Sequence, residues 1–487
     1  MNSNTAPSSK HKFVIQSWLR PDLTPVLANC DYERLRQDLD KIEANIRASC
    51  VEALAIDITL DRLDENTSSR CRDRNIQFAP VALRMELLRH LLGMPSFREF
   101  SARLSSSDLL ADFCNVSFIE GNRWTSKSTL ERASKFFTHE ELQRMNALLT
   151  ETVANSDLCA DLGLEAPVDA SICLVDSTCF EANIHFPTDW VLLKDVALTL
   201  LKATTLIRSQ RLLNRMSQSP AELARQMNRL CIEMTHSRRR KDAKKRRKAI
   251  LRRMKKLLRC IGDHARKHRE LLETSWDTTE LSQREAERIL ARIDSQLELL
   301  PQVMKQAHER IIGERKVSSG DKILSAHEPD IHTLVRGKAG KEVEFGNALF
   351  IAESPCGFIL DYELYRDAPP GESQKLRDSL ARQRALDIET PVDCVVADRG
   401  FDSRKLLDEL GEDGIVSHIC PRNAAKLKEL MCDESFRSLQ KRRGGTEARI
   451  AILKNKRGGR VCRAKGFENR ARAFRSPTAC SHTTFSG

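Results

Sequence analysis

No run of 18 apolar residues occurs in this 487-residue chain; Val191-Leu192-Leu193 is broken at once by Lys194 and Asp195. A bilayer-spanning helix is therefore not expected. No two of the 15 cysteines stand at Cys-x-x-Cys spacing, which excludes zinc-ribbon and zinc-finger sites. Their odd number, and the absence of an apolar stretch in the polar start from Met1 to Lys12, argue against a secreted disulfide framework. Free thiols in a reducing cytoplasm are expected instead, with residues 1–12 as a disordered tail.

What the chain does have is charge. Lys plus Arg number 80 against 68 Asp plus Glu, a net charge of +12. With 40% hydrophobic and 30% charged residues, the composition fits a soluble globular protein. Its length exceeds what one core holds, so two or three domains are expected. The positive balance points to a polyanion, nucleic acid or an anionic membrane surface; a generally basic surface is the plainer alternative.

From about Asp31 to Thr150 the pattern is helical. Leu35, Leu39, Ile42 and Ile46 recur at helical spacing, as do Leu83, Leu87, Leu88 and Leu91-Leu92. Ser126 or Ser128 is placed to cap a short helix carrying Arg132 and Lys135. Helix, turn and basic helix suggest a module of helix-turn-helix kind, although short capped helices are common. Strand-like runs cover Ala170–Phe180, Glu344–Ala352, Gly357–Tyr365, Val392–Ala397 and Ile415–Cys420. The first is separated from the rest by a helical stretch over roughly 190–320. Either this is an insertion within one sheet, or two unrelated domains are present.

Within that stretch, Ile250, Leu251, Met254, Leu257, Leu258 and Ile261 line one helical face, and Ile289, Ile293, Leu297, Leu300 and Met304 another. Two long antiparallel helices would bury both stripes. Arg238 to Lys256 holds 13 Lys or Arg among 19 residues and one acid, Asp242. Such density suits a rail that tracks phosphates, with Arg238, Arg239, Arg240, Lys244, Lys245 and Arg246 as contacts. A solvated face or a disordered basic loop is the alternative, but a solvated face normally interleaves acids.

Chemistry is suggested by three acids. Ile172-Cys173-Leu174-Val175 reads as a buried strand and ends in Asp176; Val395-Val396-Ala397 ends in Asp398. A third acid, Glu447, shares a helical face with Arg443 and Lys454 at i, i+4, i+11. Two carboxylates fixed at strand ends and one on a helix can hold two divalent cations, the machinery for cutting and rejoining phosphodiester bonds. Each acid alone is weak evidence, because strand-end aspartates are commonly turn residues.

The ordered set of motifs resembles the DDE transposases of bacterial insertion sequences, in the ISNCY-type branch. It comprises Val175-Asp176-Ser177-Thr178, Glu181 through Asp189, His327 through His332, Val335 through Gly340, Val343 through Asn347, Ala397 through Phe401, and Gln440 through Asn455. The resemblance covers roughly residues 10–470. Related transposases carry a Tyr-Arg-Glu-Lys signature with two, three and six residues between its members. Arg443, Glu447 and Lys454 match it; Gln440 stands where tyrosine is usual, which touches one DNA contact and not the metal site.

The resemblance implies a mixed α/β fold. An RNase H-like core (166–189 and 321–470) would carry a long basic helical insertion (190–320) after its first strand, behind a mostly helical DNA-binding domain (13–165). It implies Asp176, Asp398 and Glu447 as catalytic and metal ligands for two Mg²⁺ or Mn²⁺ ions. It also implies Arg443 and Lys454 as phosphate contacts. The partners would be double-stranded DNA, as terminal inverted repeats and target, and a second copy of the chain or a larger assembly on the nucleoid. Two departures stand out. Gly444-Gly445 should let the Glu447 helix fray, at about 2 kcal/mol relative to alanine. After Arg470 the periodicity is lost, so 471–487 reads as an irregular tail of frameshift origin. The alternative function is then a decayed transposase that only binds DNA.

Overall fold

The computed structural model describes residues 30–472 except 95, 119–120, 123–124, 238–241, 339–340, 453–461 and 463. The chain forms two units. One comprises Met1–Glu181, Asn347–Tyr365 and Pro369–Gly487; the other Ala182–Gly346 and Arg366–Ala368.

The first unit opens with helices: α1 (Cys30–Ser49), α2 (Val51–Asp61), α3 (Ser69–Leu91), α4 (Phe97–Ser106) and α5 (Asp108–Phe113). A short hairpin, β1 (Ser117–Phe118) and β2 (Gly121–Asn122), precedes α6 (Lys127–Ala133), α7 (His139–Ala154) and α8 (Cys159–Leu162). The stripe Leu39, Ile42, Ile46 packs with Leu83, Leu87 and Leu88 in one apolar core. Ser126, not Ser128, caps α6, accepting from the Thr129 amide at 3.2 Å. Thr138 and Glu141 close a capping box on α7. Arg84 is buried in this core and is paired with Glu43 at 2.5 Å and Glu52 at 2.6 Å. The chain then enters β3 (Ile172–Glu181).

The second unit is dominated by four helices, α9 (Asp189–Ser209), α10 (Pro220–His236), α11 (Ala243–Ser275) and α12 (Gln283–Ile311). Two helices were expected here. The two stripes read from the sequence do lie on α11 and α12 and enter the core, but α9 and α10 share it. Helix α9 buries Leu193, Val196, Ala197, Leu200, Ala203 and Ile207 fully and packs against α10, α11 and α12, while Lys202 and Thr205 stay exposed. Capping boxes at Ser219 and Ser282 start α10 and α12. Strand β4 (His332–Lys338) then pairs antiparallel with the first half of β5 (Lys341–Glu353).

From Asn347 the chain is back in the first unit. The second half of β5 pairs antiparallel with β6 (Ile359–Leu364), followed by α13 (Glu372–Arg384), β7 (Cys394–Ala397), α14 (Arg404–Glu412) and β8 (Val416–Ile419). Helices α15 (Ala424–Leu430) and α16 (Glu434–Ile452) complete the named elements. The sheet order in this unit is β6-β5-β3-β7-β8, with β3, β7 and β8 parallel. Every residue of β7 is buried, as a parallel strand covered on both faces requires. On one face Cys173, Val175, Val395 and Ala397 meet Leu376 and Leu380 of α13 and Leu406 of α14. On the other, Leu174, Cys394 and Val396 meet Leu439 of α16.

Candidate active site

Strand alternation decides where the acids point. Leu174 faces α16, so Asp176, two residues on, shares its face; Asp398 likewise follows Cys394 and Val396. The parallel register pairs Leu174 with Val396. Each acid lies two residues beyond that pair, and the charge of Asp398 reaches the Asp176 carboxyl. Asp398 lies one residue beyond β7 and accepts from the Gly400 amide at 2.8 Å. A Cβ on Gly400 would come within 2.8 Å of that same oxygen, so a side chain there would displace the Asp398 carboxylate.

Asp176 is half-buried and its carboxyl is pushed up to about 6. Burial is the largest cause; the charges of Asp398 and Glu447 add to it. The Ser177 amide, donating at 2.7 Å, and the Arg443 guanidinium act in the opposite direction. On the other face, Ser177 Oγ donates to Glu372 Oε2 at 2.5 Å, and the buried Lys375 holds the second oxygen at 2.8 Å. This ties the first turn of α13 to the middle of β3.

Helix α16 delivers Glu447 and Arg443, and two polar latches hold it. Gln440 Nε2 donates to the carbonyls of Ala397 at 3.1 Å and His418 at 2.6 Å, the ends of β7 and β8. Its Oε1 accepts from Arg443 Nε at 3.2 Å. Further along, Glu353 at the end of β5 accepts from Thr446 Oγ1 at 2.5 Å and from Arg449 through Nε at 2.7 Å and Nη2 at 2.5 Å. Gly357 has φ +90°, and a Cβ there would lie 2.6 Å from the Arg449 guanidinium carbon. The latches bracket Gly444-Gly445, and the helix runs unbroken through both glycines instead of fraying.

Glu447 is exposed, with Arg443 Nη1 4.0 Å from its carboxylate. That Nη1 is buried and makes no hydrogen bond. Among the described residues, no group of three or more His, Cys, Asp or Glu is spaced to hold a metal ion. The carboxylates of Asp176, Asp398 and Glu447 are the oxygen donors a hard divalent cation takes, and the raised Asp176 carboxyl reports burial first and the two neighbouring charges after it. Gln440, Glu353, Thr446, Arg449 and Glu372 escaped the sequence reading. Only Gln440 carried a signal there, as the departure from tyrosine.

Lys454, Arg238, Arg239 and Arg240 lie outside the described residues. In the second unit, Lys244 and Lys248 hold Glu314 at 2.6 and 2.7 Å, and Arg246 and Arg253 approach Glu233 at 3.5 and 3.2 Å. The acids missing from the basic run itself are thus supplied by neighbouring segments. Lys245, Arg252, Lys256 and Arg259 are exposed at i, i+7, i+11 and i+14 and have no ion-pair partner among the described residues.

Residues 321–480 match the family model of the transposase DDE domain. The match contains Asp398 and Glu447 and runs past Arg470; Asp176 precedes it. The match covers about a third of the chain and supports a DDE-type transposase; that family implies DNA-cleaving enzymes and generally uses divalent metal ions. No curated protein and no solved structure matches the chain. Among the described residues no helix is long and apolar enough to cross a membrane.

Proposed function

We propose that the chain binds the ends of an insertion sequence, cuts DNA there and joins the freed 3′ ends to target DNA. Asp176, Asp398 and Glu447 would be the catalytic and metal-binding residues. The supporting observation is the charge environment of Asp176, raised by burial and by the other two acids. Asp176 and Asp398 would share one Mg²⁺ or Mn²⁺ ion, and Glu447 would complete the site of a second. When bound, such ions activate the attacking water or 3′-hydroxyl and stabilise the leaving oxygen. Arg443, with a buried Nη1 that no protein acceptor takes up, would hold a flanking phosphate. Gln440 fixes that guanidinium from behind. Lys454 would take a second phosphate.

The strand order β6-β5-β3-β7-β8, antiparallel then parallel, supports an RNase H-like core whose first strand, β3, is followed by the helical insertion. On that insertion the DNA-facing residues would be Lys245, Arg252, Lys256 and Arg259, a stripe about 21 Å long at helical rise, rather than the paired Lys244 and Arg246. Work on two ends implies a homodimer or larger assembly on DNA, in the bacterial nucleoid.

The decisive experiment is cleavage of duplexes carrying the terminal repeats with Mg²⁺ or Mn²⁺. Asp176→Asn, Asp398→Asn and Glu447→Gln should each reduce cleavage by about 100-fold or more, the usual scale for losing one transition-state contact, while duplex binding persists. Undiminished cleavage in any of them would remove that residue from the site. A second reading, a decayed transposase that only binds DNA, is favoured by the loss of periodicity after Arg470. It predicts that the unaltered chain binds the repeats and cuts nothing with either ion.

A further inference from the structure

The N-terminal helices hold a cationic cavity of their own. It measures about 330 Å³ and lies among Thr59 and Arg62 at the end of α2, Asn75 of α3, and Arg132, Lys135 and Phe136 around the end of α6. That volume is at the lower end of the ~300–1,000 Å³ range of ligand pockets. Three cations border one concavity, and acid is scarce. Glu141 reaches Arg62 at 3.3 Å but also accepts from the Thr138 amide at 2.7 Å to cap α7. Glu131 is committed to Lys127 at 2.8 Å. Among the described residues no carboxylate lies within ion-pair distance of Arg132 or Lys135.

The cations are also set on a prepared surface. Phe78 and Phe136 stack edge-on at 5.2 Å, and Phe136 and Phe137 at 4.9 Å. Arg62 lies over Phe136 at 5.1 Å, and its Nη1 donates to the Phe136 carbonyl at 2.7 Å. Arg132 lies over Phe78 at 5.7 Å. A guanidinium stacked on a ring loses little further freedom when its N–H edge meets an oxyanion. Three convergent donors on a rigid aromatic base, with little opposing charge, suit a phosphate.

We propose that this cavity is a phosphate site that takes a backbone phosphate of duplex DNA, with Arg62 and Arg132 as fixed donors and Lys135 as the mobile one. This rests on the reading of the chain as a DNA-acting protein. It adds a contact on the N-terminal helices that neither Asp176, Asp398 and Glu447 nor the stripe on α11 supplies.

The test is the salt dependence of duplex binding by the full chain, measured by fluorescence anisotropy with a random-sequence duplex. Arg132 and Lys135 are exposed, so R132A/K135A should keep its unfolding temperature; Lys127→Ala is the equal-surface control. The double variant should lower the slope of log K against log salt by about 1, the amount for one lost phosphate contact, and Lys127→Ala should not. Arg132→Lys should retain charge but recover only part of the affinity. An unchanged slope in a chain that binds DNA overturns the site alone. A chain that does not bind duplex DNA overturns both the site and the reading beneath it. Stabilisation by inorganic phosphate or a mononucleotide that the double variant loses, with the DNA slope intact, would make it a site for free phosphate and overturn the DNA assignment.

Discussion

Two charged regions of this chain resolve their charge in opposite ways. Along α11 the sequence piles up cations, yet Glu233 and Glu314 meet four of them, and Arg247 lies over the Trp190 ring at 5.1 Å. Around Asp176 two further acids act with Arg443 as the opposing cation, and the carboxyl, raised first by burial, rises further. The difference teaches that linear charge density is a poor guide to available charge. What matters is whether the fold brings a counter-charge to the same place, and at the acids it does not.

The largest effect that would break this contrast is on stability. A carboxyl whose folded value is raised from 3.8 to about 6 binds its proton more readily in the folded chain. Between those pH values the folded state takes up protons that the unfolded state has released. Stability therefore falls as pH rises through the window, and the loss is complete above about 6. Asp176→Asn should then stabilise the metal-free protein at pH 7 by about 2–3 kcal/mol, and by nothing below about pH 4. Thermal unfolding across pH checks it. Mg²⁺ should raise the unfolding temperature of the unaltered chain more than that of the variant. Equal stability of the two proteins at pH 7 would mean that neither burial nor the neighbouring acids hold the Asp176 carboxyl up.

Next in size is a comparison within α11. Replacing Lys245, Arg252, Lys256 and Arg259 together by alanine should flatten the salt slope of DNA binding by about 3–4. Replacing Lys244, Lys248, Arg246 and Arg253 should flatten it by less than about 1, since those cations already have protein partners. Equal slopes in the two quadruple variants would show that pairing with Glu233 and Glu314 does not withhold charge from DNA. The smallest effect runs the other way. Glu233→Gln frees Arg246 and Arg253 and should raise duplex affinity about twofold to fivefold, the scale of exposed ion pairs. A fall in affinity would count against it.

What could be read in advance was set by local physics. The runs leading to Asp176 and Asp398 are legible because a parallel strand buried on both faces is apolar throughout, but β3 does not end at Asp176 as expected: it continues to Glu181. Glu447 and Arg443 are legible because four residues make one helical turn. Strand β4 was not legible: His332-Thr-Leu-Val-Arg-Gly-Lys338 mixes polar and apolar residues, and Val335 is 75% exposed. Helices α9 and α10 fall within the stretch read as helical but were not delimited, because only the two longer stripes were conspicuous. The intact passage of α16 through Gly444-Gly445 depends on Gln440 and Glu353, whose partners are 43 and 93 residues away in sequence. Helix propensity is local and carries no trace of such ties.

In its grip on the strands Gln440 reads main-chain carbonyls, those of Ala397 and His418. Any residue other than those that disturb the strands presents the same carbonyl. Evolutionary drift at 397 and 418 would thus leave the helix anchored, whereas drift at 440 would not. Among descendants of this sequence, the anchor should behave as a single-site character, tolerant of its partners' mutations and without compensating pairs. A library randomised at 397, 418 and 440 should reveal that asymmetry directly.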